Sequence, residues 1–176
     1  MRVFFRIFVP TVVAGLLSVC GARAEESFTL AIVPNGSYER TGASISAFEP
    51  FYVVATNRST QPVQVWKEWC SWGYFALSFE VQSPDGSIAR MTKKPRGWDK
   101  NFPDPFLIPS GGHHVLMVSL REGWEGQPTK DQKIRIRARY KIAAGEMPED
   151  FWSPTKKWNI WNGEIVSPWL DVTYYP

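Results

Sequence analysis

Ten residues, KIRIRARYKI (133–142), alternate without a break between apolar and basic side chains. Ile134, Ile136, Ala138, Tyr140 and Ile142 fall on one side, and Lys133, Arg135, Arg137, Arg139 and Lys141 on the other. A period of two is the pleat of a β-strand, whereas a helix would spread both kinds around its circumference. The segment therefore belongs to a sheet with one face in water and one in a core, and a second layer has to cover the apolar face.

The same period recurs along the chain. Phe28, Leu30 and Ile32 alternate with small or polar neighbours, FYVVATN (51–57) is β-rich, and the turn-forming RSTQP leads into PVQVWKEW. YFALSFEV places Phe75, Leu77, Phe79 and Val81 on one face; SPDG (83–86) turns and SIARMT (87–92) returns. HHVLMVSL (113–120) follows Pro-Ser-Gly-Gly, and WNGEIVS (161–167) and WLDVTYY (169–175) complete the set. Helical periodicity is lacking throughout, and only 145–153 has room for a short turn. About eight short strands with turn signals between them predict an all-β chain, an immunoglobulin-like antiparallel β-sandwich in a single domain over 25–176. The Cys-Trp-Cys framework of antibody domains is absent. In WKEWCSWGYF (66–75), the spacing of Trp66, Trp69 and Trp72 would suit a helix, but β-patterned flanks outweigh it. The expectation there is a strand ending near Trp69, a bend at Cys70-Ser71-Trp72-Gly73 and a new strand from Tyr74.

The first residues read as an export signal. MRVFFR gives a basic start, IFVPTVVAGLLSVC an apolar run too short to span a bilayer well, and Ala22-Arg23-Ala24 a cleavage site. The competing reading is lipidation at Cys20, against which stands the bulk of Val19. Every later apolar segment is interrupted by charge, so no membrane span is expected. Arg2, Arg6 and Arg23 leave with the signal, and the 20 Lys+Arg against 17 Asp+Glu of the full chain become an even balance. Global charge then gives no case for nucleic acid. Cleavage also leaves Cys70 without a disulfide partner, so the core alone must hold the domain. All nine tryptophans lie in the mature part.

Strand parity makes a prediction about those tryptophans. If connections alternate between the two ends of the sandwich, 34–50, 70–73, 93–112 and 143–159 share one end. They carry Tyr38, Trp72, Trp98, Phe102, Trp152 and Trp158, with Trp69 at the margin and only Trp124 at the far end. The strongest candidate site is KKPRGWDKNFPDPF, where Lys93, Lys94, Arg96 and Lys100 interleave with Trp98, Phe102 and Phe106. Such a loop can stack a sugar ring or hold an anion, and its rings and cations can equally rigidify one another. Cys70, among aromatics, reads as a buried small hydrophobe rather than a reactive thiol. His113 and His114 are adjacent on a strand and point to opposite faces, which does not favour a shared metal. The basic row 133–141 reads as a solvated face neutralised by neighbouring acids. Asn35-Gly36-Ser37 and Asn57-Arg58-Ser59 match the glycosylation sequon. No nucleophile elbow, phosphate loop or zinc-protease motif occurs, so neither catalysis nor a cofactor or metal is expected.

CSWGY (70–74), KKPRGWDKNFPD (93–104) and WNGEIVS (161–167) together resemble a group of uncharacterised bacterial exported proteins. Those are small immunoglobulin-like domains with W-x-S-W-G-Y, K-K-x-R-x-W-x-x-N-F-P and W-x-G-x-x-V-S segments in the same order. The resemblance spans roughly 50–167 and implies an exported sandwich; it carries no catalytic residue. Relatives often have Asn where this chain has Cys70, which argues against an essential thiol. The expected role is that of a monomeric, non-catalytic binding domain, periplasmic or extracellular. Its ligand would be a polysaccharide, held at an aromatic and basic pole comprising Trp72, Lys93, Lys94, Arg96, Trp98, Lys100, Phe102, Trp152 and Trp158. The alternative is a protein partner, as for a loop-presenting protease inhibitor. Against chagasin-type inhibitors the order departs, since Lys-Pro-Arg-Gly-Trp precedes Pro-Ser-Gly-Gly-His. An enzyme with an unrecognised site is the third class.

Overall fold

A computed structural model describes residues 28–35, 42–99, 101–143 and 158–176. The leader with Cys20 and Ala24, Tyr38, Lys100, Trp152 and the segment 145–153 lie outside the described residues. In chain order the elements are β1 (Phe28–Val33), β2 (Ser44–Ser46), β3 (Phe51–Asn57), β4 (Val63–Trp66), α1 (Ser71–Tyr74) and β5 (Leu77–Gln82). Then come β6 (Ile88–Lys93), β7 (Pro105–Ile108), β8 (His113–Val118), β9 (Trp124–Glu125), β10 (Gln132–Ile142), β11 (Gly163–Val166) and β12 (Leu170–Tyr175).

The all-β sandwich is present. One layer is the sheet β1-β3-β8, and the other is β2-β12-β10-β5-β6-β9, with β11 also on β10. Among the described residues the strands pair antiparallel, except β2 on β12, and an isolated bridge between Gln64 and Ile160 is also parallel. Between the layers Phe51 meets Phe79 at 5.5 Å and Phe28 meets Tyr140 edge-on at 6.3 Å. β4 and β7 pair separately and add Val65, Trp66 and Ile108 to the same core. β10 behaves as its pattern demands: Ile134, Ile136, Ala138, Tyr140 and Ile142 are buried. Its basic row, Lys133 excepted, is met by acids on neighbouring strands. Glu80 takes Arg137, Arg139 and Arg90, Glu164 takes Arg139 and Lys141, and Asp171 takes Arg135.

Opposite β5, one continuous line of chain faces β10 in two pieces. Arg139 pairs with Val166, but Ile136 pairs with Leu170, so β11 and β12 are joined by one extra residue, a bulge at Ser167-Pro168-Trp169. Proline, with no N–H to give a ladder, is tolerated there. Ser167 closes the gap: its N–H donates to the Ala138 carbonyl at 2.8 Å, and its hydroxyl accepts from the Ala138 N–H at 2.9 Å.

Three expectations need correction. Twelve strands are present among the described residues rather than about eight, because β2 and β9 are too short to show a period and β7 hides in the 93–112 connection. β4 stops at Trp66 and β5 starts at Leu77, because residues 71–74 close a helical turn with Tyr74 N–H on the Cys70 carbonyl. Gly73 permits this, since a Cβ there would collide with the Lys67 carbonyl. Finally, Trp124 is not remote from the basic loop. β7 adds a reversal before β8, so β8 runs opposite to the expected sense and delivers residues 121–126 beside the end of β6. Trp124 is the direct partner of Lys93.

Candidate functional site

The end of β6, α1 and the connection 94–104 converge on Tyr74. Its hydroxyl donates to the Lys94 carbonyl at 3.1 Å, and Trp98 meets its ring edge-on at 5.5 Å. The Arg96 guanidinium lies 4.6 Å from the Tyr74 ring centre and 4.0 Å from that of Trp98. Lys93 Nζ sits 4.7 Å from Tyr74 and 5.8 Å from Trp124. Burial pushes the Lys93 ammonium below its usual range; Glu68 opposes this and the Arg96 charge adds to it. Lys93 is thus a structural cation packed among rings.

A second group extends outward from it. Arg96 Nη2 donates to the Trp69 carbonyl at 3.2 Å. Trp69 Nε1 donates to Asp104 Oδ2 at 2.6 Å, and Lys67 Nζ lies 3.0 Å from Asp104 Oδ1 and 4.7 Å over the Trp69 ring. Asn101 ties the long connection to α1, accepting from the Ser71 N–H at 2.9 Å and donating to the Ser71 hydroxyl at 2.7 Å. Between prolines 103 and 105 the backbone of Asp104 is stiff, and its carbonyl accepts from the Lys67 N–H. Trp69 is nonetheless 61% exposed, Phe75 51% and Phe102 74%. Held rigid yet open, the Trp69 ring forms a platform beside the exposed Arg96, and Lys94, Phe75 and Phe102 are exposed on the adjoining segments.

The nine residues proposed from the sequence divide. Lys93, Lys94, Arg96 and Trp98 come together at Tyr74, and Phe102 projects from the same connection. Trp72 instead meets Trp66 at a tilt, ring centres 5.8 Å apart, and packs against the core, its indole N–H buried without a hydrogen-bond partner among the described residues. Trp158 also packs against the core. Lys100 and Trp152 lie outside the described residues. Trp69, Phe75 and Asp104 are additions. Of the clustered tryptophans 66, 69 and 72, the sequence does not show which one faces out; the flanking charges Lys67 and Glu68 were the one available signal.

The remaining candidates resolve into packing. Cys70 is buried and its thiol donates to the Lys67 carbonyl at 3.1 Å. His113 contacts Thr56 at 2.9 Å, while His114 lies 3.5 Å from Glu68 and stacks on Phe106. Asn57 is closed to glycosylation: it is fully buried, and its amide donates to the carbonyls of Gln61, Ile108 and Pro109. No family model and no curated protein matches this chain.

Proposed function

We propose that this chain is an exported, non-catalytic, immunoglobulin-like binding domain whose loop platform holds an acidic polysaccharide. The observation that carries the reading is Trp69, an indole 61% exposed yet fixed at its N–H by Asp104, at its carbonyl by Arg96 and across its ring by Lys67. An exposed ring immobilised before binding loses little side-chain entropy when a sugar face stacks on it. Lys94 and Arg96 supply the charge for an acidic substituent. The export expected from the leader, and the resemblance of the three sequence segments to bacterial exported domains, would fit this role.

The test is calorimetric titration with neutral and acidic polysaccharides of the chain and its Trp69→Ala and Trp98→Ala variants. Saturable binding of an acidic member is expected, weakened roughly tenfold by Trp69→Ala, since a stacked ring contributes about 1.5 kcal/mol. Binding unaffected by either change would remove the platform from consideration. The exposed Phe75 and Phe102 favour a second reading, a protein partner, and silence across the panel would promote it.

A further inference from the structure

A concavity lies away from the platform and shares no residue with it. It is a groove of about 560 Å³ across the outward face of the large sheet, within the range of small-molecule sites. Its floor follows from register: Arg135 of β10 stands between Gln82 of β5 and Asp171 of β12, and Lys133 stands beside Thr173. One wall is the β5–β6 turn with Ser83, Pro84 and Gly86, and the other is Gly42-Ala43, tied down where the Thr173 N–H donates to the Ala43 carbonyl. Both glycines have positive φ, +104° at Gly42 and +85° at Gly86, and a Cβ on either would meet open space, so the rims are bare.

The groove is built before any ligand arrives. In its turn, Asp85 accepts from both the N–H and the hydroxyl of Ser87, and the Gly86 N–H donates to Ser83. Arg135 is held from two sides, Nη1 donating to Gln82 at 3.3 Å and Nε lying 3.6 Å from Asp171. Lys133 is exposed and has no acidic or hydrogen-bonding partner among the described residues. Among the lining side chains, Lys133, Arg135 and Asp171 leave a single positive charge beside the amide of Gln82 and the hydroxyls of Ser83 and Thr173, groups suited to sugar hydroxyls. Asp85 is turned to Ser87 and is not part of the lining. Asp171 disfavours a ligand of higher negative charge, such as the dianionic form of phosphate, by like-charge repulsion.

We infer that this groove is a separate site for a monoanionic, carboxylate-bearing sugar, with Lys133 as its counter-ion. The inference is independent of the platform. Galacturonate, galactose and inorganic phosphate are titrated at low salt into the isotopically labelled full chain, and amide shifts are followed by NMR. Galacturonate is expected to give saturable shifts confined to 42–43, 82–86, 133–135 and 171–173, with a dissociation constant of about 1 mM for a ligand of its size. Lys133→Glu weakens it at least tenfold, Trp69→Ala leaves it unchanged, and galactose and phosphate bind more weakly. No saturation by roughly 10 mM, equal binding of galactose or phosphate, or an unaffected Lys133→Glu variant would each overturn the assignment.

Discussion

Glu80 shows how one residue organises a whole sheet face. Its nearly buried carboxylate accepts from Arg137 at 2.7 Å and Arg139 at 3.1 Å, with Arg90 at 3.8 Å. The Arg137 hydrogen bond is the chief reason its pKa lies below the ordinary glutamate range; burial opposes the shift, and the charges of Arg137 and Arg139 and the Arg139 hydrogen bond reinforce it. A carboxyl that ionises more easily folded than unfolded stabilises fully above the unfolded-chain value, about 4.3, and loses that contribution as pH falls through the lower folded value. Glu80→Gln should therefore cost about 1–2 kcal/mol at neutral pH, discounted for the partly exposed arginines, and progressively less in acid. Denaturant midpoints of both proteins against pH will show whether the gap closes. At Asp104, replacement by Ala should release the Trp69 indole. Raised indole mobility in time-resolved anisotropy and weaker polysaccharide binding are expected, with unfolding shifted by less than about 1 kcal/mol because the broken pair is at the surface.

At the scale of elements, α1 depends on a contact no side chain could share. Gly73→Ala drives a methyl into the backbone carbonyl that also receives the Cys70 N–H and thiol. A loss of about 2–3 kcal/mol is expected, read as a lower unfolding midpoint, because backbone cannot yield as a flexible side chain does. The long elements were legible because one buried face writes itself as alternation, as in β3, β5 and β10. β7 was not, since PFLI, itself opening on Pro105 just after Pro103, looks like loop, and its omission reversed β8 and misplaced Trp124. For the site, Lys93, Lys94, Arg96 and Trp98 were visible as neighbours in sequence. That Trp72 turns inward while Trp69 turns out is decided by one helical turn, set by the bare α-carbon of Gly73, and alternation cannot register it.

For the whole molecule, the core binds both layers and the β4–β7 pair into one set of contacts, and Cys70 reports on its opening. Buried at 2% exposure, the thiol reacts with an alkylating reagent only when the surrounding structure opens. Labelling located at Cys70 by peptide mapping, and so distinguished from Cys20, is expected to merge with global unfolding as denaturant increases, and fast labelling of Cys70 in buffer would show that the 67–75 corner opens alone. The bulge at Ser167-Pro168-Trp169 bears on how the sheet is reached at all. A long strand can be threaded against its partner in slipped alignments, each turning buried side chains into water. Here β10 is read in two phases at once, and sliding the 163–175 chain by one place would misalign both halves together, turning Ile165, Val172 and Tyr174 out of the core. The offset thus acts as a detent, and refolding is expected to proceed without a population of slipped isomers.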